Sequence, residues 1–303
     1  MKVKSSVIDC SARETPIIVS QIKTGKVYIV DIKYVLIDAN NAENFDYVLP
    51  KKPDMSDNRA NIGAVDEEGT ILGSISYSLI GFEYVIDWLY VHPDVRLKGV
   101  GTGLVEEVKK AVVETGERFP ITARFEVTED DPGMHIFFLS FDDIVTEYSH
   151  ERYVVKPEML KTAPALQKIP DPGIRTEFFF DLPPDEQKKI IAEIDSEENY
   201  VVADFDMWKK RCVPELCRCA YSKDNLAGFI IMQELSNGNL ELSYLYFRYH
   251  KGLFDLLSET ASEIERLFPK VSLTFDAVSD ESMKLAKRLF PDAQKVHVYE
   301  AQF

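Results

Sequence analysis

Three apolar runs separated by short polar turns organise the first half of the chain. Residues 61–77 contain a strand, an acidic turn ending at Gly69 and a second strand, a pattern typical of a hairpin. Residues 85–92 form a third strand. A helix is predicted from about residue 100, because apolar residues recur at helical spacing over 104–112, and Gly116 is its predicted end.

The same succession of elements recurs in the second half. Residues 216–232 match 61–77 without a gap, and Gly228 stands where the first copy has Gly73. The next strand, 244–247, corresponds to 88–91, and both copies continue with a helix, a Phe-Pro pair and another strand. Ordered recurrence over most of each half predicts a duplicated domain.

The predicted domain boundary lies in residues 156–175. This segment contains four prolines and Gly173, a density of helix and strand breakers typical of a connector. We therefore predict a first domain over 1–155, a linker over 156–175 and a second domain over 176–303, with a helix that starts near Asp181.

Composition narrows the classes of function. The length of 303 residues suits two domains, each with its own core. Fifty-one acidic residues against 35 Lys and Arg give a formal charge of −16, which disfavours nucleic acid as a partner. No apolar run reaches the length of a membrane span, and the first residues lack the apolar core of a signal peptide, so we expect a cytoplasmic protein with no membrane partner.

The cysteines do not form a recognisable metal motif. Cys212, Cys217 and Cys219 lie close together, but no fourth ligand follows at a zinc-like spacing, and Cys10 is far away. We interpret them as buried apolar thiols and predict no metal site.

The turn between the third strand and the helix carries the most specific motif. Arg96, Gly99 and Gly101 form the spacing R-x-x-G-x-G, and a strand before such a turn with a helix after it aims successive backbone N–H groups at one anion. The turn is therefore predicted to bind phosphate. With its flank from Asp87 through Tyr-Val-His-Pro, it resembles the acetyl-CoA-binding core of the GNAT acyltransferase superfamily.

The resemblance implies an α/β fold of two tandem GNAT-like domains, each a mixed, mostly antiparallel sheet flanked by helices. It also implies acetyl-CoA as cosubstrate. The pyrophosphate would be held by main-chain N–H groups of consecutive turn residues, which are Leu97, Lys98, Gly99, Val100, Gly101 and Thr102. Arg96 and Lys98 would add positive charge. The pantetheine amides would pair with the strand edge formed by Leu89, Tyr90 and Val91.

The second copy differs in this turn. After Phe247 it has a shorter turn with one glycine, Gly252, so the backbone could not approach a pyrophosphate closely. We expect the cofactor in the first domain only.

The resemblance also suggests residues for proton transfer. A general base must take a proton from the acceptor amine, and Asp87 lies where many family members carry an acidic residue, with Glu126 and Glu83 as reserves. A carboxylate in a partly buried cleft would have a raised pKa. The carboxylate could equally be an ion-pair partner.

The family's usual general acid has no counterpart. The family pattern N-x-x-A-x-x-F-Y aligns with 131–138, which places Asp131 at the asparagine and Phe138 at the tyrosine. Phe138 can donate no proton. Tyr148 and His135 are candidates by chain proximity only, and a thiolate could also leave unaided.

Two hypotheses follow. The first is a CoA-dependent N-acyltransferase that acts on a primary amine of a small molecule or peptide. The alternative is a non-catalytic CoA-binding or interaction protein built on a degenerate pair of domains, which the missing tyrosine and the altered second copy favour. Both hypotheses are compatible with a homodimer.

Overall fold

The computed structural model describes residues 13–14, 32–51, 58–128, 130–167, 171–198, 209, 211–235 and 237–303. The chain divides into two compact units. Unit 1 comprises 1–125, 134–147 and 300–303, and unit 2 comprises 126–133 and 148–299. No helix in the described part of the chain combines the length and apolar character that a bilayer span requires.

Unit 1 is built on a mixed sheet. Its elements in chain order are β1 (Arg13–Glu14), β2 (Lys33–Leu36), β3 (Arg59–Val65), β4 (Ile71–Ile80), β5 (Glu83–Val91), α1 (Val100–Glu114), β6 (Ile121–Val127) and α2 (Gly133–Leu139), of which β6 ends and α2 begins in the 126–133 segment of unit 2. The strands pair in chain order from β1 to β6, and every pair is antiparallel except the parallel pair β5 and β6.

Helix α1 forms where the apolar spacing predicts it. Leu104, Val105 and Val108 are fully buried, so one face of the helix packs on the core. The helix ends at Glu114, and Gly116 adopts a positive φ of 74° just after it, which is the conformation that a glycine stop signal provides.

Unit 2 repeats this plan. Its elements are β7 (Val145–Val155, with its first three residues in unit 1), α3 (Pro157–Thr162), β8 (Ile174–Phe178), α4 (Pro184–Glu198), β9 (Arg218–Ser222), β10 (Asn225–Glu234), β11 (Leu240–Phe247), α5 (His250–Leu267), β12 (Leu273–Ala277), α6 (Asp280–Leu289) and β13 (Gln294–Gln302, which ends in unit 1). The order β8-β9-β10-β11-β12 reproduces β2 to β6, again with only the last pair parallel.

The strand register supports the duplication residue by residue. Gly73 lies opposite Val91 in unit 1, and Gly228 lies opposite Phe247 in unit 2. A Cβ at Gly73 would meet the Tyr90 carbonyl oxygen at 2.4 Å, so this position must be glycine. The predicted mixed, mostly antiparallel sheets flanked by helices are confirmed.

The division of the chain differs from the contiguous domains expected from the sequence. Strand β7, expected in the first domain, pairs antiparallel with β12 from Glu151 to Val155. The segment 156–175 is part of unit 2: Leu160 is buried in its core, and the Asp171 N–H donates to the Asp255 carboxylate. The described residues of this stretch on both sides of 168–170 therefore pack within unit 2.

Candidate active site

A bulge in β5 creates the opening in the unit 1 sheet. Trp88 lies opposite Ser76, but the next pair is Ile86 with Tyr77, so Asp87 is the extra residue. The parallel pairing of β5 with β6 ends at Ile86 and Ala123. The edge of β5 that contains Leu89, Tyr90 and Val91 therefore lies beyond the last paired residue, where an extended ligand could add to it.

The turn that follows β5 holds two residues in the left-handed region. Leu97 has φ 60° and Gly99 has φ 80°. Gly99 adopts this conformation freely, but for leucine it costs about 1 kcal/mol or more. The Leu97 side chain is fully exposed and so gains nothing by packing. A strained backbone with no packing benefit is typical of a functional turn.

Helix α1 begins directly after this turn. Its first internal hydrogen bond runs from the Gly103 N–H to the Gly99 carbonyl at 2.9 Å, so the N–H groups of Val100, Gly101 and Thr102 precede the helical ladder. A Cβ at Gly101 would come within 3.2 Å of the Phe137 ring, so this glycine also lets α1 lie close to α2. The arrangement is suited to an anion at the helix N-terminus.

The two basic residues of the turn bond to its backbone. The Arg96 Nε donates to the Val91 carbonyl at 3.1 Å, and the Lys98 Nζ donates to the Asp94 carbonyl at 2.8 Å. Both side chains brace the turn and bring positive charge to it.

Asp87 is held by a buried arginine. The Arg59 guanidinium donates to both carboxylate oxygens, at 2.5 and 2.7 Å, and its side chain is only 2% exposed against 18% for Asp87. Asp87 supplies the main counter-charge of this buried guanidinium. The carboxylate is thus an ion-pair partner, and any role as base has to compete with that pair.

Sequence reasoning missed Arg59. It precedes Asp87 by 28 residues, and only the β3–β4–β5 register brings the two together, with Arg59 opposite Ser78. No local motif marks such a pair.

The two reserve carboxylates belong to different units. Glu83 begins β5, four residues before the bulge. Glu126 belongs to unit 2, where it accepts a hydrogen bond from Arg152 at 2.9 Å. The structure therefore does not bring Glu126 and Asp87 together within one unit.

The position aligned with the family tyrosine is part of the core. Phe138 is 1% exposed and packs against Phe125, with ring centroids 4.8 Å apart, and against Phe137 and Phe303. Asp131 belongs to unit 2 and its carboxylate accepts a hydrogen bond from the Gly133 N–H, as expected for a residue that starts a helix.

The two candidate replacements for the tyrosine belong to different units. His135 lies on α2 in unit 1, with its ring 6.2 Å from that of Phe125. Tyr148 belongs to unit 2, where its ring contacts His297 and Tyr299. Desolvation, and then the neighbouring charge of Glu151, raise the pKa of the Tyr148 hydroxyl, which keeps its proton.

The turn of unit 2 differs from that of unit 1 in length and in its backbone hydrogen bonds. Helix α5 begins at His250, three residues after β11 ends, and the N–H groups of Arg248 and Tyr249 donate to the Ala227 carbonyl at 2.9 and 3.4 Å. The bulge is nevertheless retained, since Tyr244 pairs with Ile231 and Leu242 with Met232, which leaves Ser243 as the extra residue.

Comparisons with known proteins agree with this geometry. Residues 33–141 match the family model described as the acetyltransferase (GNAT) family. A tandem GNAT protein from the clavulanic acid biosynthesis pathway superposes with a TM-score of 0.62 at 16% identity, over 89% of this chain and 98% of that one. A GCN5-related N-acetyltransferase from Sphaerobacter thermophilus superposes with a TM-score of 0.55 at 16% identity, over 87% of this chain and 84% of that one. No curated protein shows significant sequence similarity to the chain.

Proposed function

We propose, from the match of residues 33–141 to the family model of the GNAT acetyltransferases, that the chain is a CoA-dependent N-acyltransferase that uses acetyl-CoA. The observation that carries the proposal is the turn of unit 1, in which the exposed Leu97 is held at φ 60° with no packing benefit. Such a conformation is retained when the backbone itself serves a function.

In this proposal, the N–H groups of residues 97–102 hold the pyrophosphate of acetyl-CoA, and Arg96 and Lys98 neutralise part of its charge. The pantetheine amides add to the free edge of β5 at Leu89, Tyr90 and Val91. This arrangement directs the thioester toward the bulge at Asp87.

The acceptor in this proposal is a primary amine of a small molecule or peptide. The neutral amine attacks the thioester carbonyl, a C–N bond forms, the C–S bond breaks and CoA leaves as the thiolate. The amine proton passes to Asp87 or to solvent, and the thiolate takes up a proton from solvent, because Phe138 offers none. The Arg59–Asp87 pair favours the solvent route, in which solvent takes one proton from the ammonium form of the acceptor before the attack and a second proton after it.

Thiol release from acetyl-CoA in the presence of a panel of amines, polyamines and Lys-containing peptides tests the proposal. Wild-type protein should release CoA with at least one class, and a Gly99→Val variant should not. A protein that binds acetyl-CoA but releases no thiol with any class would favour the non-catalytic alternative, which the buried Phe138 supports.

A further inference from the structure

We propose that unit 2 contains a binding site for an uncharged, mainly apolar small molecule that carries one hydrogen-bonding oxygen. The site is a cavity of about 350 Å³ bounded by α5, α6 and the strands β11 and β12. Apolar side chains from each element line it, among them Leu257, Ile264, Leu285, Leu242 and Phe275.

The cavity forms where the duplicated sheet opens. The parallel pairing of β11 with β12 ends at Leu242 and Phe275, next to the bulge at Ser243. Unit 2 thus keeps the strand opening of its counterpart, although it has lost the turn that could bind phosphate. Retention of the opening without that turn points to a ligand other than CoA.

The start of α5 supports the exclusion of CoA. The N–H groups of Arg248 and Tyr249 already donate to the Ala227 carbonyl, and the Arg248 guanidinium binds Glu193 at 2.8 Å. These two backbone donors and this cation are therefore engaged within the protein, whereas the corresponding turn residues of unit 1 adopt the left-handed conformations that expose their N–H groups.

The size of the cavity sets the size of the ligand. At about 30 Å³ for each non-hydrogen atom, the volume a water molecule occupies in the liquid, 350 Å³ holds roughly ten such atoms. An alkyl chain of medium length or a single substituted aromatic ring fits this range.

The charge of the lining excludes an anion. Among the described residues that line the cavity, Asp276 is the only charged one. Its carboxylate binds the Arg152 guanidinium at 2.6 and 2.9 Å and lies 3.0 Å from His150 Nε2. Despite the opposing effect of desolvation, these contacts hold the pKa of Asp276 well below its usual range, so the carboxylate stays ionised and Arg152 balances its charge. No cationic side chain is among the described residues of the lining, so an anionic head group would be buried without a counter-charge, which is costly.

Thr260 supplies the polar contact. It lies on α5, lines the cavity and is 3% exposed, and its hydroxyl oxygen has no hydrogen-bond partner in the described part of the chain. A buried hydroxyl without a partner is unfavourable, and an oxygen on the ligand would provide one. An alcohol, ester or amide head group meets this requirement.

Calorimetric titration of 1-octanol into the full-length protein tests the proposal, with octanoate as the anionic comparison. We expect one octanol per chain, octanoate weaker by about tenfold or more, and no displacement of octanol by saturating acetyl-CoA. Displacement by acetyl-CoA, equal affinity for octanoate, or no octanol binding would overturn the proposal. Each of these results leaves acyl transfer by unit 1 as a separate question.

Two variants locate the site. Ala261→Leu places a larger side chain in the cavity and should weaken octanol binding by about tenfold or more. Thr260→Val should weaken it by about threefold to tenfold through loss of one hydrogen bond. Thr274→Val is the matched control, because Thr274 is equally buried but donates to the Leu240 carbonyl and lies outside the cavity lining. Octanol affinity that stays unchanged in Thr260→Val, or falls equally in Thr274→Val, would contradict the assignment.

Discussion

Replacement of Asp87 by leucine is expected to lower the free energy of unfolding by about 3 kcal/mol, because it leaves the Arg59 guanidinium buried without its counter-charge. Loss of one partner of a buried pair costs about 3–5 kcal/mol. The lower end applies here, since Asp87 is 18% exposed and Arg59 keeps a 3.3 Å hydrogen bond to Ser78 Oγ.

The matching substitution Arg59→Met should restore most of this loss. In the double variant no charge is left unpaired, and apolar replacements of a buried pair are about neutral. Urea denaturation of the wild type, both single variants and the double variant at pH 7 gives the coupling energy, and Tm should fall by roughly 6–12 °C in Asp87→Leu. A loss below about 1 kcal/mol, or additive losses in the double variant, would refute the reasoning.

The same four proteins separate two roles of Asp87. If the double variant regains stability but stays inactive in thiol release, the carboxylate takes part in the reaction. If it regains both, the pair is structural, and the interpretation of Asp87 as a catalytic base is wrong.

Three further predictions follow from contacts in the two units. Leu97→Gly should raise the free energy of unfolding by about 0.5–1 kcal/mol and preserve acetyl-CoA binding. The substitution relieves the backbone strain of a leucine in the left-handed region, and the fully exposed side chain makes no packing contribution that would be lost. A lower stability of the variant in urea would contradict this prediction. The lowered pKa of Asp276 stabilises the fold above the unfolded-state pKa of 3.8, and this contribution is lost as the pH falls below that value. The difference in unfolding free energy between wild type and Asp276→Asn should therefore shrink between pH 7 and pH 3 in denaturation curves. A difference that stays constant over this range would contradict a lowered pKa of Asp276 in the folded protein. In a Cys10→Ser background, Cys212 should react first with a thiol reagent, because the Cys217 thiol lowers the pKa of Cys212. Cys217 and Cys219 are fully buried with raised pKa values and should react only on unfolding. A Cys212→Ser variant that keeps the fast phase would disprove this order.

Local patterns in the sequence are sufficient to predict the elements around the turn between β5 and α1. The apolar spacing of α1, the glycine stop at Gly116 and the left-handed Gly99 are all decided by residues within a few positions of each other. The duplication is also visible, because Gly73 and Gly228 take equivalent places in the two sheets: a Cβ would meet the Tyr90 carbonyl oxygen at 2.4 Å at Gly73 and the Tyr246 carbonyl oxygen at 3.2 Å at Gly228.

Contacts between distant segments could not be predicted in this way. Arg59 meets Asp87 only through the register of three strands, and Glu126 is engaged by Arg152 of β7. The division into units likewise depends on distant contacts, since the pairing of β7 with β12 joins segments more than 100 residues apart. The cavity of unit 2 likewise depends on where two strands stop pairing, which the hydrophobic pattern does not record.

The central claim is that the turn of unit 1 binds acetyl-CoA, and calorimetric titration tests it most directly. Gly99→Val should abolish one-site binding that the wild type shows. Gly69 is a hairpin glycine with a φ of 83°, close to the 80° of Gly99. Gly69→Val therefore imposes the same backbone strain away from the turn and should leave acetyl-CoA binding unchanged. Binding that is absent in the folded wild type, or that survives in Gly99→Val, would contradict the account.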